Sequence, residues 1–579
     1  MPTGALALAP PAPIALLALA LAASLAACRS EPAPQASPAP GAALTSAASA
    51  ASAASAAAPA IPLPRAVHDG APAAHPGAPV WFEGPPDQAL QKARTEARPL
   101  LVYWGAAWCP PCNELAAEVF EHPRFPEIVQ GLVPLHLDGD TEEAQTWGER
   151  LGISAYPTVL LLGPQGDELL RLNGAVDLAE MERAIRAALG RGQSFDAAMK
   201  RLDEGTAAQP GDHRVLAHAA WELLPEPPWT PARRLTALHK ATSRCPPDLA
   251  PECALLASNL LSLALAGRTD PTLAAEIQAI RPEIPRFLDT IFQDRASIRA
   301  ARTFVTMRVA DMLAWLHGDT PAPTPPQATS PALPSSPSPL LSEATLRQRW
   351  LTAADTLGAD ESASSEAHLW AVRPALDIAR RDQPQGPLPA ALRDRIVQAA
   401  TRAVQRAERR TARQAMAAGA SYLLRRAGAH DEARAMLTAE ASRDPTPWYH
   451  HTLLSALEQE LGRADEARRW SAEARKSATG RATRLQWIAS DIALNAELPG
   501  AEQRAYLLGL ADEYYALATQ LPDGFSGRNR SRAEQVARAL APFRADPALV
   551  ALLARHRARC ASLPEDRRTA CTGHLDALR

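Results

Sequence analysis

Two cysteines separated by two residues, Cys109 and Cys112, stand in the run Trp108-Cys109-Pro110-Pro111-Cys112, directly after an apolar stretch at 100–104. Thiols at this spacing, at a strand-to-helix junction, can close into a disulfide, and a helix start there stabilises the first sulfur as a thiolate. The same spacing also suits half of a zinc site, but a structural zinc takes four Cys or His ligands, usually as two close pairs. The chain has no second Cys-x-x-Cys, and His122 and His136 are not spaced as a pair. The reading is a redox-active dithiol that uses no metal and no cofactor, with an inert buried pair as the alternative. Cys109 is the expected exposed nucleophile, Cys112 the resolving thiol one turn in, and Trp108 a side chain packed beside them.

The elements that must hold this dithiol alternate between strand and helix over 80–191. Apolar runs at 100–104, 133–137, 158–162 and 168–172 read as strands, and the periodicity predicts helices at 110–120, 142–151 and 178–189. A parallel βαβ unit, then a hairpin turned by Gly163-Pro164-Gln165-Gly166, then a closing amphipathic helix make one α/β domain.

This segment resembles the thioredoxin-like family. Trp108-Cys109-Pro110-Pro111-Cys112 sits where that family keeps Trp-Cys-x-x-Cys, and Tyr156-Pro157-Thr158 where it keeps a cis-proline opposite the thiols. The run Val119-Phe120-Glu121-His122-Pro123-Arg124-Phe125 resembles the C-terminal domain of the DsbD disulfide reductases and related lipoprotein thioredoxins. The resemblance implies that a cis Pro157 turns the Tyr156 backbone toward the thiols, where with Trp108 it binds an extended substrate segment; the alternative is a trans turn proline. Two departures stand out. Tyr103 occupies the place of the family's buried Asp, six residues before Cys109, and Pro134 that of its partner Lys, so the usual proton shuttle is missing. His136 is a candidate replacement, set against an ordinary structural role. Pro110 and Pro111 have no N–H to offer the sulfur, and no His or Lys lies inside the motif. The thiolate is therefore less stabilised than in DsbA, which implies a reducing or isomerising poise nearer to thioredoxin.

The first 28 residues carry an apolar core at 14–21 and end in Leu25-Ala26-Ala27-Cys28. This pattern predicts a secretory signal, and its end resembles the lipobox of bacterial lipoproteins, with Cys28 as the acylated residue; the alternative is an uncleaved hydrophobic anchor. No Lys or Arg precedes Cys28, so the usual basic start is missing. Residues 29–79 are Ala, Pro and Ser with few large apolar groups, a composition expected to stay disordered and to act as a tether with a reach of about 40 Å. Of seven cysteines, Cys28 is set aside and six fall into close pairs. Beside Cys109 and Cys112 these are Cys245 with Cys253 and Cys560 with Cys571, expected as structural disulfides of an exported protein, with buried free thiols as the alternative. The net charge of −3, from 60 basic and 63 acidic side chains in 579 residues, gives no support for nucleic-acid binding.

Beyond residue 191 the pattern is helical at 192–317 and 342–579, interrupted by a Pro- and Ser-rich linker at 318–341. Gly428-Ala429-His430-Asp431-Glu432-Ala433-Arg434 recurs as Gly462-Arg463-Ala464-Asp465-Glu466-Ala467-Arg468, a shift of 34 residues. That period resembles tetratricopeptide helix pairs, expected around 414–476, with an irregular helical array as the alternative. The expectation is thus a multidomain chain: an α/β thioredoxin-like domain followed by an all-α helical-repeat region that binds a partner. As an envelope thiol:disulfide oxidoreductase, lipid-anchored and facing the periplasm or exterior, it would act on protein disulfides and draw on an electron donor that the sequence does not identify. The competing expectation is a non-catalytic scaffold or assembly lipoprotein that uses the thioredoxin-like fold as a docking module.

Overall fold

The computed structural model describes residues 81–578, except 154, 175, 191–193, 205–209, 225, 227, 319–341, 498–502 and 528. The expected signal with Cys28, the expected tether and nearly all of the expected linker therefore lie outside the described residues. All the described residues fall in one compact unit by their contacts.

Four strands form one sheet in the order β2-β1-β3-β4. β1 (Leu100–Gly105) runs parallel to β2 (Val133–Asp138) and antiparallel to β3 (Thr158–Leu162), which pairs antiparallel with β4 (Glu168–Asn173). Every residue of β1 and β3 is buried, as expected of central strands covered on both faces. Alternation along β1 feeds two cores: Leu100, Val102 and Trp104 pack toward α1 (Pro86–Thr95) and α3 (Glu142–Arg150). Leu101 and Tyr103 pack instead toward α2 (Pro110–Leu115) and α4 (Leu178–Ala188). The α/β order and strand positions match the sequence expectation.

One expected helix divides. After Leu115 the chain passes into a wider turn at Ala116–Phe120, where the Glu121 amide donates to the Ala116 carbonyl, five residues back, at 2.9 Å. The Ala117 carbonyl, which an α-helix would have given to Glu121, accepts instead from Arg409 at 2.8 Å. Widened turns of this kind recur where a helix meets a functional site.

The rest of the described chain is helical. Pro247–Gly267 is long and apolar enough to cross a membrane, yet Leu256, Leu260, Leu261 and Ala264 are fully enclosed by neighbouring helices, so it is packed as a core helix, α5 (Ala250–Gly267). Cys245–Cys253 and Cys560–Cys571 are disulfide-bonded, with Cα atoms 5.6 and 5.9 Å apart. The 34-residue shift corresponds to two helix pairs, α6 (Arg410–Arg426) with α7 (His430–Arg443), and α8 (Trp448–Glu460) with α9 (Ala464–Ser477). Gly428 and Gly462 end the first helix of each pair at φ of 76° and 70°, a left-handed conformation that glycine adopts without a Cβ penalty. The amides of Ala429 and Arg463 then close onto the carbonyls of Leu424 and Glu458 at 2.8 Å each. Ala433 and Ala467, fully buried, let the paired helices approach.

Candidate functional site

Cys109 caps α2. Its backbone is extended, Pro110 takes the first helical position where a missing N–H costs nothing, and the Cys109 and Cys112 sulfurs are bonded with Cα atoms 5.2 Å apart. Because Pro110 and Pro111 carry no N–H, the first amide of the helix able to reach the sulfur is that of Cys112, which lies 3.3 Å from Cys109 Sγ. The Asn113 side chain ties the loop from inside, donating to the carbonyls of Ala107 at 2.8 Å and Cys109 at 3.0 Å.

The strand beneath supplies Tyr103. Its hydroxyl donates to the Cys112 carbonyl at 3.4 Å, and its ring stacks on His136 of the neighbouring strand with centroids 4.8 Å apart. Burial, with the Asp138 charge added, raises the Tyr103 pKa far above its usual value, so the phenol is a neutral donor to the helix backbone. His136 is exposed and packs on Tyr103 and Trp81, a placement that fits its structural reading. The Tyr156–Pro157 peptide bond is cis. Tyr156 lies 5.5 Å from Trp108, ring to ring, and its hydroxyl occupies the space that a side chain at Gly139 would fill.

The expected exposure of Cys109 is not what the fold delivers. Cys109, Cys112 and Trp108 retain only 3%, 2% and 4% of their accessible surface. The cover comes from the helical region. Trp448 of α8, Ala474 of α9 and Trp487 of α10 (Arg481–Glu497) join Ala106, Trp108 and both cysteines in one apolar cluster, edged by Tyr156, Tyr449 and Ala478. The Trp487 ring meets Trp108 edge-on at 5.8 Å, and Tyr449 lies along it at 6.4 Å.

Polar contacts fasten this cover to the loop. Gln414 of α6 donates to the Trp108 carbonyl at 2.6 Å and accepts from the Asn113 side chain. Arg410 donates to the Ala107 carbonyl at 3.0 Å and is itself held by Asp444 at 3.0 Å. Asp140, in the turn after β2, accepts from the Trp108 indole at 3.0 Å and from the Thr483 hydroxyl of α10. Half-exposed ion pairs, Arg409–Glu121 at 2.7 Å and Arg481–Glu142 at 2.8 Å, lie at the edge.

Behind the dithiol a second contact buries charge. Arg302 pairs with Glu180 of α4 at 2.8 Å and lies 3.7 Å from Asp177, which caps that helix. Glu114, two residues after Cys112, is buried beside Glu366, and burial first, then the Glu366 charge, raises its pKa well above the ordinary carboxyl range, while Arg302 opposes the rise.

The structure thus brings together Trp108, Cys109, Cys112 and Tyr156, with Pro157 joined to Tyr156 by the cis bond, while the disulfides Cys245–Cys253 and Cys560–Cys571 belong to the helical region. Gln414, Trp448, Trp487, Asp140 and Thr483 were not read as site residues. No local signal distinguishes a helix residue that covers a site some 300 positions earlier. Among the described residues no cluster of His, Cys, Asp and Glu is arranged to hold a metal ion.

Residues 86–189 match the family model of the thioredoxin-like domain. Two curated relatives from Pseudomonas aeruginosa are similar over part of the same region. Thiol:disulfide interchange protein DsbD 1 is 29% identical over 109 residues, 18% of this chain and 18% of the relative. Thiol:disulfide interchange protein DsbD 2 is 30% identical over 95 residues, 16% of each chain. This chain therefore spans less than a fifth of the length of these relatives.

Proposed function

We propose that this protein is a thiol:disulfide oxidoreductase of the bacterial envelope that reduces or isomerises protein disulfides. The observation that carries the reading is the Cys109–Cys112 disulfide at the start of α2, beside a cis Tyr156–Pro157 bond, in the segment that matches the thioredoxin-like domain. In the reduced protein the Cys109 thiolate attacks one sulfur of a substrate disulfide, forming a mixed disulfide and releasing the other substrate sulfur as a thiolate. Cys112 then attacks Cys109 Sγ. The second substrate sulfur leaves and takes up a proton, the substrate disulfide is reduced by two electrons, and the Cys109–Cys112 disulfide is formed. An external dithiol donor must then return two electrons to the pair. In this reading Trp108, Tyr156 and Pro157 bind the extended substrate segment.

Export is supported by the two further disulfides, which persist in oxidising compartments. With it we propose lipid attachment at Cys28, a tether at 29–79 and a linker at 318–341. The paired helices around Gly428 and Gly462 support a tetratricopeptide-like reading of that region, with partner binding as its role. The scaffold reading also has an observation in its favour, the burial of both cysteines.

Substitution Cys112→Ser separates the two. An oxidoreductase without its resolving thiol accumulates mixed disulfides on Cys109, seen as slower bands on a non-reducing gel that collapse on reduction. A docking module accumulates none.

A further inference from the structure

We infer that the helical region is a closed lid over the dithiol, and that α6, α8, α9 and α10 must move away from the α/β unit before Cys109 can meet a protein disulfide. The inference rests on the oxidoreductase reading for the identity of the reacting group, and on geometry for everything else. In-line attack needs a substrate sulfur within bonding approach of Cys109 Sγ, with room behind it for the leaving sulfur. Trp448, Ala474 and Trp487 fill the apolar cluster around that sulfur, and Cys109 keeps almost no accessible surface.

Two properties favour a lid over a permanent core. The first is its fastening. Gln414, Thr483, Arg410 and Arg481 each hold a loop carbonyl or a carboxylate of the α/β unit, and each such group can be handed to water when the surfaces part. The second is an unmet demand. The indole N–H groups of Trp448 and Trp487 are buried beside the dithiol with no acceptor in the closed arrangement. A buried donor without a partner costs free energy that is recovered on opening to water, or on donating to the carbonyls of an extended peptide laid along Pro157. Closed, the same helices shield a reduced pair from exchange with unrelated disulfides.

The test is the rate at which Cys109 of the reduced full chain is alkylated by iodoacetamide, read by mass spectrometry for each cysteine. With the lid in place, Cys109 reacts at least about 100-fold more slowly in the native chain than in the same chain unfolded in urea, because reaction waits on a minor open population. Two variants on opposite sides of the contact, Gln414→Ala on the lid and Asp140→Ala on the α/β unit, each speed the reaction by about tenfold, with native far-ultraviolet circular dichroism retained. A native rate within about threefold of the unfolded one would overturn the lid. So would a slow rate that neither folded variant changes, since that marks a permanent core. Alkylation reads access and not exchange, so the two ideas fail separately: a lid-opened Gln414→Ala, Cys112→Ser chain that traps no mixed disulfide removes the oxidoreductase reading and leaves the lid standing.

Discussion

Arg302→Met removes the cation that joins α4 to the helical region while keeping most of its buried volume. Arg302 is 8% exposed at the side chain, and its partners Glu180 and Asp177 are 11% and 15% exposed. At separations of 2.8 and 3.7 Å, and an effective dielectric near 20, each attraction is worth roughly 4 to 6 kcal/mol before desolvation is set against it. Desolvation consumes most of that gross gain, but removing one partner leaves the carboxylates buried without it, at a net cost of about 3 to 5 kcal/mol. Glu114 adds a pH dependence. Its folded-state pKa already lies above the unfolded value, and losing Arg302, which pulls it down, raises it further. A carboxyl raised in this way contributes stability that is present below the unfolded pKa and is lost as pH rises through the folded one. The deficit of the variant is therefore larger at pH 7.5 than near pH 4.5. Urea denaturation at both values, followed by circular dichroism, measures it. A deficit below about 1 kcal/mol at pH 7.5, or one equal at the two pH values, would refute the buried network as its source.

Glu114→Gln removes the raised carboxyl itself, so it should match the wild type near pH 4.5 and exceed it by about 1 to 3 kcal/mol at pH 8. Urea midpoints at the two pH values decide this, and equal gaps at both would count against a buried, raised carboxyl. The Cys109–Cys112 couple, with only the Cys112 amide beside the first sulfur, should equilibrate with dithiothreitol nearer to about −270 mV than to about −120 mV. A value at the oxidising end of that span would mean that the thiolate has stabilisation beyond this single amide.

Local chemistry made the α/β half legible. Leu100, Val102 and Trp104 alternate with Leu101 and Tyr103, so the strand and its two buried faces can be read from adjacent residues. The widened turn at Ala116–Phe120 escaped the sequence reading because it coincides with a contact from Arg409, far along the chain. In the helical half, Gly428 and Gly462 marked their turns because left-handed backbone selects glycine at each one. Trp448 and Trp487 gave no comparable signal: an aromatic residue on a helix looks the same whether it fills its own core or covers another unit's sulfur.

From its residues alone the chain specified a dithiol at a helix start, a double-proline turn with few free amides, and two further close cysteine pairs. Each is a matter of covalent geometry and neighbours a few positions apart, which spacing records directly. Only the tertiary structure decided that the dithiol lies closed beneath α8, α9 and α10, that Asp140 and Gln414 tie the Trp108 loop to the helices, and that Arg302 neutralises acids behind it. Those are contacts between surfaces whose complementarity exists only after both have folded, and no periodicity encodes which helix face meets which loop.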